Sequence, residues 1–385
     1  MTHPRPFHLD VSESELADLR RRLRATRWPD PEPVDDWSQG VPLAYLRELC
    51  GYWADEYDAR RVERRLGALP QYLVNLGGAD VHVVHVRSPH PEALPLVLTN
   101  GWPSSLVEYL DVIGPLTDPT AYGGSASDAF HVVCPTLPGY GFSGKPGRTG
   151  WGIERIAAAW SRLMTVLGYD RYGAHGSDWG TSVTTLLALH DTERLCGIHL
   201  SPPLAAPDPA TFDDLTDAER AALDALGHAK EWEDGYSVQQ STRPQTIGYS
   251  LTDSPSGLAA WIVEKFHSWS DCAGHPENAV PRDVLLDNLM MYWLPRTGAS
   301  SARLYWESIR RVQAWFTEST DDLVVVPTGC TLYPKETPRP SRRWAERRYP
   351  NIVHWSEPEA GGHFAALEQP ETFVRELREF FRLVR

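Results

Sequence analysis

The chain has 385 residues, enough for one large domain with insertions or two ordinary ones, and either can bury a sizeable core. A formal net charge of -14 and a pI of about 5.5 describe an acidic surface that repels phosphate backbones and anionic lipid, which argues against nucleic acid or a membrane as partner. No apolar run approaches the roughly 20 residues of a spanning helix, and the opening M-T-H-P-R-P-F-H-L-D lacks the apolar core of a signal peptide, so a cytoplasmic location is expected.

The first 70 residues read as helical and precede any strand pattern. Ser12 as N-cap with Glu15 three residues on forms a capping box, and Leu16, Leu19 and Leu23 follow at helical spacing. That helix should end near Arg27-Trp28-Pro29. A Pro/Asp-rich loop then leads to a second helix from about Pro42, whose Leu46, Leu49, Trp53 and Tyr57 make one apolar stripe. Such a stripe needs a neighbour, so this segment should lie against the main domain.

Strand signals begin at about Tyr72, with Val81, Val83 and Val86 in a candidate antiparallel hairpin. Residues 94–99 then read as a buried strand, the loop N-G-W-P-S-S follows, and a helix is predicted over 106–116. A strand over 130–134 precedes the loop L-P-G-Y-G-F-S. Next come a helix over 152–167, a strand running into G-S-D-W-G, a helix over 181–190 and a strand over 197–200. Strands alternating with helices in this way predict an α/β protein, a mostly parallel sheet with helices on both faces.

From about Ser201 to Thr320 the alternation gives way to helical patterns broken at Pro244, Pro255 and Pro281. An insertion of that length predicts a lid over the carboxyl ends of the strands, where open α/β sheets bind ligands. The sheet should resume over 323–327, extending toward Thr331, and again over 351–355, before a last helix over 370–383. The expected organisation is an N-terminal helical segment packed on the core (1–70), the first part of the core (71–203), a helical lid (204–320) and the second part of the core (321–385). Cys50, Cys134, Cys196, Cys272 and Cys330 are odd in number, scattered and never in a C-x-x-C pair. They suggest buried thiols rather than a disulfide framework or a zinc site.

The chemistry centres on Gly176-Ser177-Asp178-Trp179-Gly180. Its small-x-nucleophile-x-small spacing is that of a nucleophile elbow, a strained strand-to-helix turn with a reactive side chain at its apex, although taken alone G-x-D-x-G is equally a plain turn. Here the apex is Asp178, a carboxylate that is ionised at neutral pH and can attack an alkyl carbon without a base. Partners should follow in the order acid, histidine, each on a loop beyond a strand end. Gly361-Gly362-His363-Phe364 sits after the last strand signal, and His363 alone of the fourteen histidines follows a flexible Gly pair there, which makes it the candidate base. Glu336 is the first carboxylate beyond the penultimate strand and the candidate acid. Asp208, Glu357 and Glu359 are less well placed, and Asp321 and Asp322 lie at the wrong end of their strand. Backbone N–H groups of Trp179 and Trp102 are the candidate oxyanion donors.

Together N-G-W-P-S-S, L-P-G-Y-G-F-S, G-S-D-W-G and G-G-H-F-A-A-L-E-Q-P resemble the epoxide hydrolases of the α/β-hydrolase superfamily. The N-terminal segment and the lid stretches T-R-P-Q-T-I-G-Y-S-L-T-D-S-P-S-G-L-A-A-W-I-V-E-K-F and M-Y-W-L-P-R-T-G are similar to the microsomal and fungal branch, without the microsomal members' membrane anchor. The chain also resembles, in style, actinobacterial members that serve antibiotic pathways such as enediyne biosynthesis. The resemblance implies an α/β-hydrolase fold and a cofactor-independent, metal-free conversion of an epoxide and water to a vicinal diol through an aspartyl ester. It also implies two lid tyrosines, Tyr236 in D-G-Y-S and Tyr305 in R-L-Y-W-E, that hydrogen-bond the oxirane oxygen and protonate the alkoxide. Tyr249 and Tyr292 are their rivals. Asn100 departs from the family, which usually has histidine there. Abundant lid Trp and Tyr suggest a bulky apolar or aromatic epoxide. Self-association into a homodimer is left open. Alternative readings on the same scaffold are a haloalkane dehalogenase with the same nucleophile, a ligand-binding protein without turnover, and an esterase using Ser177.

Overall fold

A computed structural model describes residues 3–318 and 322–385. Among these, nine strands form one sheet: β1 (Arg5–Pro6), β2 (Gln71–Leu76), β3 (Ala79–Val86), β4 (Leu94–Thr99), β5 (Phe130–Pro135), β6 (Tyr172–Ser177), β7 (Leu195–Ser201), β8 (Thr328–Thr331) and β9 (Ile352–Ser356). Their spatial order is β1-β2-β3-β5-β4-β6-β7-β8-β9. β1, β2, β3 and β5 pair antiparallel, and every pair from β5 through β4 to β9 is parallel. The parallel strands are covered on both faces, and accordingly L-P-L-V-L-T, F-H-V-V-C-P and L-C-G-I-H-L-S read as nearly unbroken apolar runs. The chain reverses direction across the sheet between β4 and β6, so a crevice opens beyond their carboxyl ends.

The strand expected over 323–327 is displaced, because the ladder is formed only by Thr328–Thr331. Leu323 and Val325 are exposed, Val324 N–H donates to the Arg348 carbonyl, and Pro327 has no N–H and contributes only a carbonyl, to Ile198. The apolar run is a connector into the strand. The lid boundary set at 320/321, and Asp321, lie outside the described residues. β1 and the helix Arg61–Gly67 had no sequence signal of their own, being too short to establish a period.

Ser12 caps the first helix (Glu13–Arg24), accepting from Glu15 N–H, and Leu16, Leu19 and Leu23 are buried. The next helix (Leu43–Asp55) buries Leu49 and Trp53. Several polar contacts of this segment run to the lid: Tyr57 Oη donates to Asp287 Oδ1 at 2.7 Å, Tyr52 Oη to Asp283 at 2.8 Å, and Arg22 pairs with Asp253 at 2.7 Å. Arg61 and Arg65 also reach the fully buried Asp287. The N-terminal segment is therefore a clasp on the lid as well as a cover for the core.

The lid comprises the helices Asp217–His228, Gly235–Thr242, Pro244–Asp253, Pro255–Trp269, Arg282–Trp293 and Gly298–Thr317. Pro244 and Pro255 occupy first helical turns and Pro281 is an N-cap, positions where a missing N–H costs nothing. All five cysteines are buried and free. No described helix is long and apolar enough to cross a membrane.

Candidate active site

β6 ends at Ser177 and the helix Trp179–His190 begins two residues later, leaving Asp178 alone at the turn with φ 52° and ψ −124°. A left-handed φ on a non-glycine residue is strained and persists only when its surroundings enforce it. The enforcing contacts are visible. A Cβ on Gly176 would overlap the Gly180 carbonyl, and one on Gly180 would overlap the Thr99 carbonyl at the end of β4. Only glycine at both positions lets the helix seat this close to β4 and β6, and the outcome is a carboxylate raised into the crevice.

The β4 loop meets it there. Trp102 N–H donates to Asp178 Oδ1 at 2.8 Å. The second expected donor, Trp179 N–H, lies at the first position of its helix, where it has no intrahelical acceptor and the helix dipole favours negative charge. Asn100 is buried, and its Nδ2 bonds Ser104 Oγ at 3.0 Å and the Gly101 carbonyl at 3.2 Å. Where the resemblance implies histidine, the amide braces the loop that carries Trp102.

His363 Nδ1 is 2.8 Å from Glu336 Oε1, and its Nε2 is 3.5 Å from Asp178 Oδ2. Glu336 is 4% exposed. Asp208 is paired with Arg347 at 3.0 Å, and Glu357 with Arg339 at 3.2 Å. The Gly361-Gly362 pair serves close approach rather than looseness. Gly361 has φ 109°, and a Cβ there would lie 2.8 Å from the Tyr333 ring. A Cβ on Gly362 would overlap the carbonyl of Trp269, which accepts His363 N–H at 2.9 Å. Burial alone would pull the imidazole down. The Glu336 charge, together with the hydrogen bonds and charge of Asp178, outweighs it and holds His363 well above its usual range.

Tyr236 (helix Gly235–Thr242) and Tyr305 (helix Gly298–Thr317) hang from the lid into the same space, their ring centroids 5.7 Å apart. Tyr236 stacks on Trp102 at 4.9 Å, and Tyr305 meets the Trp179 ring edge-on at 4.8 Å. Burial first, then neighbouring charge including that of Asp178, pushes both phenols far up, so both remain proton donors. Asp178, Tyr236, Tyr305, Glu336 and His363 line one cavity of about 560 Å³. The rival tyrosines lie elsewhere: Tyr249 is 70% exposed, and Tyr292 is buried with its hydroxyl donating to the Ser104 carbonyl at 2.7 Å.

Three neighbours of this group were not singled out from the sequence. The Trp269 ring touches both His363 (4.9 Å) and Tyr236 (5.2 Å). Glu368 accepts from Phe364 N–H at 2.9 Å and from Asp271 N–H at 2.7 Å, tying the histidine loop to the lid; burial pushes its carboxyl up to about 7. Glu108, buried behind the Trp102 loop, is likewise pushed up to about 7 by burial. Glu368 stood within G-G-H-F-A-A-L-E-Q-P, but only the docked lid supplies its second donor.

Residues 4–109 match the family described as epoxide hydrolase N terminus, and residues 95–230 match the alpha/beta hydrolase fold. The chain is 51% identical to a Stigmatella aurantiaca protein assigned as an epoxide hydrolase, over 99% of this chain and 85% of the other. It is 33% identical to epoxide hydrolase 1 of Sus scrofa, over 99% and 89%. Among solved structures it resembles Aspergillus niger epoxide hydrolase (TM-score 0.88, 29% identity, 99% and 97% covered) and the juvenile hormone epoxide hydrolase of the silkworm Bombyx mori (TM-score 0.88, 28%, 100% and 96%).

Proposed function

The chain belongs to the epoxide hydrolases, and on that premise we propose that it makes a vicinal diol in two steps through an ester on Asp178. Asp178 Oδ1 is engaged by Trp102 N–H, which leaves Oδ2 to attack an oxirane carbon. The C–O bond breaks as Tyr236 and Tyr305 hydrogen-bond the departing oxygen and one of them protonates it. His363, oriented by Glu336, then takes a proton from a water that attacks the Asp178 carbonyl carbon. The N–H groups of Trp102 and Trp179 hold the oxyanion, and the diol leaves. The observation that carries this reading is the split engagement of one carboxylate, Oδ1 on a backbone donor and Oδ2 within 3.5 Å of the imidazole.

Oxygen labelling tests it. In a single turnover in heavy-oxygen water the label should enter the Asp178 carboxylate, and reach the diol only on later turnovers. Label appearing in the diol at the first turnover, with Asp178 unlabelled by mass spectrometry, would exclude the ester.

The raised imidazole adds a second expectation. Negative charge on Asp178 helps hold the proton on His363, and esterification removes that charge, so the base should be released when it is needed. In Asp178→Asn, where the charge is gone permanently, the His363 titration followed by NMR should move to lower pH than in the wild type. An unmoved titration would mean that Glu336 alone sets it.

Leu204, Leu226, Ile309, Val312 and Phe316 supply apolar walls to the cavity, which supports a bulky apolar or aromatic epoxide as substrate. The dehalogenase alternative would hold the halide with Trp179 and an Asn or second Trp. Trp179 Nε1 is buried without a hydrogen-bond partner among the described residues, but the Asn100 amide is committed to its own loop, and halide release gives the two phenols no role.

A further inference from the structure

Lys265, on the lid helix Pro255–Trp269, is 4% exposed. Lysines this deep are rare, because the flexible stem ordinarily carries the ammonium back to water. Here the ammonium lies over the face of Tyr236, 4.7 Å from its centroid, and 5.5 Å from that of Trp269. On the solvent side Nζ meets Glu264 Oε2 at 2.7 Å, the Glu233 carbonyl at 3.5 Å and Glu233 Oε2 at 3.8 Å. Both glutamates are partly exposed, at 28% and 34% of their side chains, and the two rings are partly buried, so the buried ammonium is held between partly solvated carboxylates and the partly covered aromatic pair. The charge is thus anchored from outside and presented to the aromatic pair within.

Resting on the role proposed above for Tyr236, we infer that Lys265 is a positioning residue that acts through this tyrosine, fixing its ring and stabilising the phenolate formed as the phenol gives its proton to the opening oxirane. A cation over an aromatic face is attracted by the ring's electron density, and the attraction grows when the ring gains negative charge in a dry site. The proton balance closes over the cycle. The Tyr236 proton goes to the alkoxide, the proton that His363 gives up once Asp178 is esterified returns to the phenolate, and the proton His363 then takes from water restores the resting imidazolium.

The test separates the two chemical steps with styrene oxide as probe, using rapid quench and mass spectrometry to follow ester formation and ester hydrolysis. Lys265→Met should slow ester formation about tenfold while leaving hydrolysis of the ester within about twofold. Lys265→Arg should restore most of the loss, and Lys265→Gln is the neutral variant should Met fail to fold. In a Tyr236→Phe background the Lys265→Met change should lose its effect on ester formation. An equal slowing of both steps, or an undiminished loss in the Tyr236→Phe background, would overturn the inference and leave the tyrosine's role standing. Unchanged ester formation in Tyr236→Phe alone would instead remove the tyrosine's role and the inference with it.

Discussion

His363→Gln is expected to stop the enzyme halfway. The variant keeps Asp178, its Trp102 donor and both lid phenols, so the oxirane still opens and the protein gains the mass of one epoxide per chain. What it lacks is the base that deprotonates water, a contribution of about 10²- to 10⁴-fold for general base catalysis. Steady-state turnover should fall by about that factor, while intact-protein mass spectrometry finds an adduct mapping to the peptide that contains Asp178. Glutamine is the informative replacement because it fills the space beside Glu336 and Trp269 without offering a titratable nitrogen. Lost turnover with no adduct would mean that His363 is needed in the first step, and would remove the two-step scheme. Persistence of the adduct at alkaline pH would add a further point, that hydroxide cannot replace a positioned base in a cavity closed by the lid.

The parts of this site that could be read from the sequence are those fixed by local sterics. Gly176 and Gly180 are glycines because strand, turn and helix leave no room for a Cβ, and that constraint is written in five consecutive letters. The Gly361-Gly362 pair before His363 carries similar information, although the sequence suggested a flexible loop and the structure shows a tight one, pressed against Tyr333 and the Trp269 carbonyl. Glu336 could be reached by counting loops, even though the strand before it begins five residues later than the apolar run 323–327 implies. Asn100 could be flagged as a departure, but its bracing of Ser104 and Gly101 depends on how the loop closes.

Other contacts depend on tertiary docking and leave no local trace. Lys265, in the stretch W-I-V-E-K-F, reads as an ordinary solvated charge on an amphipathic helix until the lid buries it over Tyr236. The Glu368 bridge to Asp271 spans 97 residues of sequence, and Tyr57 meets Asp287 across 230. Periodicity reports which face of an element is apolar, not which distant polar group will be carried against it. The two lid tyrosines fall between these cases. The residues alone do not distinguish Tyr236 and Tyr305 from Tyr249 and Tyr292, and the distinction came from motif resemblance.

Replacing those phenols should produce the second large effect, this time on the first chemical step. Tyr236→Phe and Tyr305→Phe each keep the ring, and with it the stacking on Trp102 or the edge contact with Trp179, so the lid should stay docked. Each variant removes one hydrogen bond to an oxygen that becomes an alkoxide. Such a charge-assisted bond is worth about 1.5–3 kcal/mol, which corresponds to roughly ten- to 150-fold in the rate of ester formation. The double variant should lose more than the product of the two, because it leaves the developing charge in a largely apolar cavity with neither a proton nor a donor. Ester hydrolysis, measured after trapping, should be almost unaffected in either single variant, since His363, Glu336 and the two backbone donors are intact. This contrast is what separates the role from mere packing, for a phenol needed only to hold the lid would slow both steps together. If the double variant still forms the ester at near wild-type rate, the proton must come from elsewhere, and a backbone donor would have to stabilise the leaving oxygen unaided.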